Sequence, residues 1–239
     1  VIEVNELKVN GQSTGDFSFP VFVEGNDGFR SPKKKNRLME TDHSTGANKD
    51  EVRAWPPIPK EYTIYCPTAT LKDMRQIKSW AKDYGQLIAS DEPDVFYEIL
   101  DVELAHSPVD AIAGYRVDIV FTTNPFGYEL EQVTNSYTDG QSITNHTNAP
   151  MYPHIKVFGE SNQQTSITIG NQTVYLKKLH HEMSLESKPL EQNVFDQYGQ
   201  TANSIMRGDF IEIIEGTTSV IQLGSGITSI EMLERWAWL

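Results

Sequence analysis

Thr70-Leu71-Lys72-Asp73-Met74-Arg75-Gln76-Ile77-Lys78-Ser79-Trp80-Ala81-Lys82-Asp83-Tyr84, closed by Gly85, is the stretch on which the reading of the fold turns. Leu71, Met74, Ile77, Ala81 and Tyr84 recur at helical spacing, with Lys78 the polar exception among them. Thr70 is of the type that caps a helix start, and Gly85 of the type that ends one. The spacing predicts a helix over 70–84. On either side the chain is written in short β-prone runs separated by Gly, Asn, Asp and Pro, so a single helix stands in a mainly β chain.

Before the helix, Ile2-Glu3-Val4-Asn5 and Leu7-Lys8-Val9 alternate apolar with polar up to Asn10-Gly11, a hairpin dipeptide, and Tyr62 to Cys66 alternates again. After it come Gln86-Leu87-Ile88, a turn at Ser90 to Asp94, a strand from Val95 to Leu104, and another from Tyr115 to Thr123. Asn124-Pro125-Phe126-Gly127 reads as a turn and as the border between two domains, 1–127 and 128–239. The second half predicts strands at 155–158, 166–169, 173–179, 210–214, 218–223 and 227–238, with Gly170-Asn171-Gln172 and Gly224-Ser225-Gly226 as hairpin turns. Two β-sandwiches follow, the first carrying the helix and the second of jelly-roll or galectin-like type, with strand order left open by the pattern.

Glu24 to Glu61 departs from this rhythm. It is long and polar, holds Arg30, Lys33-Lys34-Lys35 and Arg37, and ends near Pro56-Pro57-Ile58-Pro59. A connection of this length is either functional or disordered. Its short apolar flanks predict an extended two-stranded arm over 25–61, tipped near His43 to Lys49. Because an isolated hairpin is marginal in water, such an arm calls for a partner. Phe29, Arg37, Leu38, Met39 and Trp55 are the candidate subunit-contact residues. The basic cluster has its plainer reading as a solvated loop.

Composition narrows the function classes. Cys66 is the one cysteine, so an intrachain disulfide is impossible and a thiolate zinc site would need several more sulfurs or a tight His cluster. A net charge of -13 opposes binding to phosphate backbones. No apolar run is long enough for a membrane helix, and the opening residues do not read as a secretory signal, so a soluble protein is expected.

Reactive constellations are equally sparse. His180-His181-Glu182 lacks the spacing of a helical metal motif and reads as an exposed strand end, and His154 reads as structural. Asp91, Glu92 and Asp94 form an acidic turn that Pro93 explains without calcium. Asn145-His146-Thr147 and Asn171-Gln172-Thr173 match a glycosylation pattern by chance. Trp236 and Trp238 read as two indoles packed inside on one strand face, although Trp55, Trp80, Trp236 and Trp238 also suggest a sugar-stacking surface. No catalytic residue, metal ligand or cofactor is assigned, and the chain is not expected to be an enzyme.

Ile77-Lys78-Ser79-Trp80-Ala81, Gly85-Gln86-Leu87-Ile88, Ser90-Asp91-Glu92-Pro93-Asp94 and Phe96-Tyr97, in this order, resemble the N-terminal domain of bacteriophage distal tail (Dit) proteins. Asn26-Asp27-Gly28 ahead of the arm and Tyr152-Pro153-His154-Ile155-Lys156-Val157-Phe158-Gly159 in the second domain extend the resemblance over most of the chain. It implies a virion component of the siphophage tail tip, made in the bacterial cytoplasm: a hexameric baseplate hub ring built by the first domains, with galectin-like second domains facing outward. Implied partners are the major tail protein, a tail-associated lysin or tail fibre hub, and other baseplate proteins, with DNA passing through the lumen unbound. The second domain is short for large receptor-gripping insertions. The rival reading is a module binding host cell-wall saccharides; a hydrolase with paired carboxylates is a remoter one.

Overall fold

In the computed structural model of the protein, residues 5–26, 31–40, 47–51, 54–108 and 114–239 are described, with Asn26 and the strands between 36 and 51 described as backbone only. Two compact units divide between Gly127 and Tyr128. Among the described residues the fold is mainly β with one α-helix, as the pattern read from the sequence predicts.

Unit 1 contains β1 (Leu7–Val9), β2 (Gln12–Ser13), β3 (Phe22–Asn26), β4 (Asn36–Glu40), β5 (Ala47–Glu51), β6 (Ile58–Pro67), α1 (Leu71–Trp80), β7 (Gly85–Ala89), β8 (Glu92–Pro108) and β9 (Gly114–Glu129), the last running on into unit 2. Its main sheet has the order β2-β1-β7-β8-β9-β6-β3, one hydrogen-bonded path with β2 and β3 at its edges. The β1–β2 turn is the expected Asn10-Gly11, both residues at positive φ (49° and 87°), as a two-residue hairpin of the strand-matching hand requires. Alternation in β6 is strict: Ile58, Lys60, Tyr62, Ile64 and Cys66 are buried, while the residues between them are exposed or half-buried.

Helix α1 covers the core with Met74, Ile77 and Trp80. The Trp80 ring stands edge-on to Phe121 at 6.5 Å and Phe17 at 5.8 Å, and its Nε1 donates to the Gln12 carbonyl at 2.9 Å. Each such fully buried side chain contributes about 1.5–3 kcal/mol. Thr70 and Asp73 form a reciprocal capping box at the start, as the capping type of Thr70 suggested.

The helix ends at Trp80 rather than at Tyr84. Ala81 leaves helical geometry (ψ 90°), and Asn10, from the β1–β2 turn, donates Nδ2 to the Tyr84 carbonyl (3.0 Å) and accepts from the Gln86 N–H (2.9 Å). That bracket draws 82–85 into the turn that starts β7. Asn124 to Gly127 likewise belongs to β9 instead of a turn. Pro125 is tolerated there because the β6 ladder has already ended at Ile58↔Thr123. Pro93 lies inside β8, and Ser90-Asp91 alone makes the β7–β8 turn.

Unit 2 is a sandwich of two five-stranded antiparallel sheets. One has the order β10 (Val133–Tyr137), β19 (Ile227–Glu234), β12 (His154–Ser161), β15 (Leu179–Glu186), β16 (Asn193–Asp196). The other has β11 (Ser142–Thr144), β18 (Thr218–Leu223), β13 (Thr165–Ile169), β14 (Gln172–Leu176), β17 (Met206–Arg207). β20 (Ala237–Trp238) closes the chain. The core interleaves Ile155, Val157, Met183, Leu185, Ile230 and Met232 of the first sheet with Ile143, Ile167, Ile169, Val174, Leu176 and Ile221 of the second.

Gly170-Asn171 makes the expected β13–β14 hairpin. Gly224-Ser225-Gly226 does not make a hairpin: β18 and β19 belong to different sheets, so this turn crosses between them. The crossing is tight. A Cβ on Gly226 would sit 2.4 Å from the Glu160 carbonyl oxygen, and one on Gly159, at the β12 bulge, 2.0 Å from that of Gly226. Residues 210–214 supply only an isolated bridge at Ile213, although Ile211 and Ile213 are core residues.

Candidate assembly interface

The expected arm is present as a register-defined pair. β4 and β5 pair antiparallel through Asn36↔Glu51, Arg37↔Asp50, Leu38↔Lys49, Met39↔Asn48 and Glu40↔Ala47, and the Lys35 N–H extends the ladder to the Ala54 carbonyl at 2.8 Å. Residues 25–26 and 58–61, assigned to the arm from sequence, belong instead to β3 and β6 of the body sheet. Among the described residues β4 and β5 pair with no strand but each other.

Two side chains anchor the arm at its root. Trp55 packs edge-on against Phe126 at 5.4 Å, and Lys34 Nζ lies 5.6 Å from the Trp55 ring centroid, a cation–π distance. Of the contact residues named from sequence, Trp55 is therefore half-buried on its own unit. Arg37, Leu38 and Met39 stand at successive positions of β4, in register with Asp50, Lys49 and Asn48 of β5. Phe29 lies outside the described residues.

The body that carries the arm offers matching surface. Among the described residues β3 is an edge strand that pairs only with β6, and its Phe22 is exposed. Leu71, Tyr84 and Leu100 are exposed as well. Between α1 and the long β8 and β9 strands runs a groove of about 550 Å³, lined by Leu71, Met74, Ile77, Val102, Leu104 and Val117 and rimmed by Arg75, Lys78 and His106. This apolar relief contrasts with the polar arm.

Several of the ionisable side chains are tied into the structure. Cys66 is fully buried, and burial, reinforced by Asp73, pushes its thiol up to about 11, which leaves it un-ionised and inert. Lys60, 2% exposed, forms an ion pair with Glu92 and lies 4.0 Å over the Tyr97 ring, whose hydroxyl donates to the same carboxylate at 2.8 Å. The acidic turn is thus committed through Glu92. Burial and that carboxylate push the Tyr97 hydroxyl well above its ordinary range.

In unit 2, Glu186 accepts two bonds from the Arg235 guanidinium (2.5 and 2.7 Å) and one from the Lys188 N–H (2.9 Å), with His154 Nδ1 at 3.2 Å. Burial pushes this carboxyl up, and these partners outweigh it, holding it at about 2. His154, read from sequence as structural, is half-buried against Glu186. His180 and His181 both face Glu160, at 2.9 and 3.5 Å, at the start of β15. Among the described residues no group of three or more His, Cys, Asp or Glu side chains could hold a metal ion.

Asn145 is buried with Nδ2 donating to the Ala149 and Ile213 carbonyls, both at 2.9 Å, which removes it as a glycan acceptor. The tryptophans do not behave as a pair: Trp236 is buried, whereas Trp238 is 38% exposed with Nε1 donating to Glu129 at 3.0 Å. Sequence reading missed the Lys60–Glu92 pair, since nothing in the chain marks residues 32 apart as neighbours. It also missed Tyr198, whose signal was an aromatic inside the turn-forming Asp196-Gln197-Tyr198-Gly199.

No protein-family model and no curated protein sequence matches the chain. Among solved structures it is similar to the crystal structure of the SPP1 Dit (gp 19.1) protein, described as a paradigm of the hub adsorption apparatus in phages infecting Gram-positive bacteria. The TM-score is 0.76 at 16% identity, covering 99% of this chain and 100% of that one. The chain has that protein's fold.

Proposed function

We propose that the chain is a structural subunit of a phage tail tip, copies of which form a hexameric hub ring joining the tail tube to the fibre and receptor-binding apparatus. The observation that carries this reading is the arm: two strands that, among the described residues, pair only with each other, in a chain that shares its fold from end to end with a hub protein. A lone hairpin is marginal, and strand addition to a neighbour's open edge supplies the missing ladder. The edge strand β3 and the exposed apolar side chains of unit 1 are the surfaces such a contact would cover. A head-to-tail contact of this kind, repeated by rotation, closes a ring. The major tail protein, a tail-associated lysin or fibre hub and further baseplate proteins are its neighbours in this reading. Net negative charge would let DNA pass through a central channel without adhering.

The deciding experiment is mass in solution across a concentration series, for the full chain and for a variant lacking residues 30–55. We expect a concentration-dependent hexamer whose assembly falls in the deletion variant. A monodisperse monomer at high concentration, unchanged by the deletion, would overturn the proposal.

A further inference from the structure

Unit 2 carries a concave site at the β15–β16 edge of its first sheet. A cavity of about 210 Å³ is lined by Lys178, His180, Glu182, Met183, Asp196, Gln197, Tyr198 and Ile205. Met183 and Ile205 give it apolar lining, and the other six bring hydrogen-bonding groups to it. Tyr198, at 77% exposure, is among the most exposed aromatic side chains described.

The turn that presents Tyr198 is fixed in advance. Asp196 Oδ1 accepts the N–H groups of Tyr198 and Gln200, both at 2.9 Å, while the Asp196 carbonyl accepts from Gly199 and its N–H donates to the Gln200 carbonyl, again at 2.9 Å. Gly199 takes φ 74°, which the turn requires and which an L side chain rarely adopts. Phe195 and Thr201 pair below it. An exposed aromatic on so constrained a turn can engage a ligand with little loss of conformational freedom. His180 is likewise oriented, its Nδ1 engaged by Glu160 at 2.9 Å, with Nε2 left for a further bond.

Size and charge select the ligand class. The cavity lies below the ~300–1,000 Å³ of sites that hold drug-sized molecules, which suits a single small ring better than a peptide or nucleotide. Two carboxylates, Glu182 and Asp196, face the single Lys178, and Glu160 stands behind His180, so the site has no excess positive charge to attract a phosphate or carboxylate. An apolar floor, an aromatic face and a rim of donors and acceptors match a pyranose, with its C–H face and its hydroxyl edge. We propose that this pocket binds one ring of a neutral saccharide, with Tyr198 stacking on the sugar and His180, Glu182, Asp196 and Gln197 meeting its hydroxyls.

This site is independent of the hub reading. It also differs from the tryptophan surface suggested by sequence: Trp80 and Trp236 are buried, Trp55 packs on Phe126, and the N–H of Trp238 is engaged by Glu129.

The test is saturation-transfer NMR on the full chain with glucose, galactose and N-acetylglucosamine, and with glucuronate as an anionic control. We expect at least one neutral sugar to give transfer with millimolar affinity and glucuronate to give none. Tyr198→Ala should weaken binding roughly tenfold or more, and Tyr198→Phe should retain it, with unchanged melting temperatures in both. Absence of transfer from every neutral sugar, equal binding of glucuronate, or wild-type affinity in Tyr198→Ala would each overturn the proposal, and none of these outcomes bears on ring assembly.

Discussion

Lys60 shows how much a single position decides. A lysine in the alternating apolar register of β6 lies at a site of 2% exposure, where an unpaired charge is untenable, and Glu92 with the Tyr97 ring makes it tolerable. We expect Glu92→Gln to destabilise unit 1 by about 3–5 kcal/mol in denaturant titration, and Lys60→Met with Glu92→Leu to recover most of that loss. Glu186 gives a pH dependence. Its folded value of about 2, against an ordinary 4.5, means that the unfolded chain binds the proton more readily. The stability it lends is therefore full above about pH 4.5 and is lost as pH falls towards 2. Glu186→Gln should flatten the acid limb of the stability–pH curve between these values, and an unchanged limb would contradict the assignment.

The elements depend on their junctions. The Gly224–Gly226 turn fits between the sheets of unit 2 only because Gly159 and Gly226 lack Cβ atoms. Gly159→Ala would place a methyl against a carbonyl oxygen at a φ of 150°, and we expect a loss of about 2 kcal/mol or more in thermal or denaturant unfolding. Helix α1 depends on its cap: Thr70→Ala should cost about 1 kcal/mol. The arm behaves differently. Since Trp55 meets Phe126 at its root, Trp55→Ala should reduce assembly, read by solution mass, more than it lowers the melting temperature of unit 1. A large melting shift with assembly intact would reverse that ranking.

At the scale of the whole molecule, the two units have separate hydrophobic cores. Each has the size and apolar content of an ordinary domain. A fragment spanning 128–239 should therefore fold alone and unfold in one cooperative transition by circular dichroism; a molten, non-cooperative fragment would show that the cores depend on each other. The division between Gly127 and Tyr128 falls within β9, not at a turn.

By itself the sequence determined the class of fold: strict period-two alternation in β6, helical spacing after Thr70, the Asn10-Gly11 and Gly170-Asn171 turns and the polar interruption before Trp55 are local signals, each set by residues a few positions apart. Tertiary structure decided what no local signal encodes. Asn10 holds the turn before β7 more than 70 positions away, β18 leaves its expected partner β19 for the other sheet, Lys60 finds Glu92, and Asp196 fixes Tyr198 beside a cavity whose other wall comes from β15. The reason is physical: backbone preference and burial periodicity act over a few residues, whereas strand order, ion pairing and cavities arise from which surfaces meet when the whole chain excludes water.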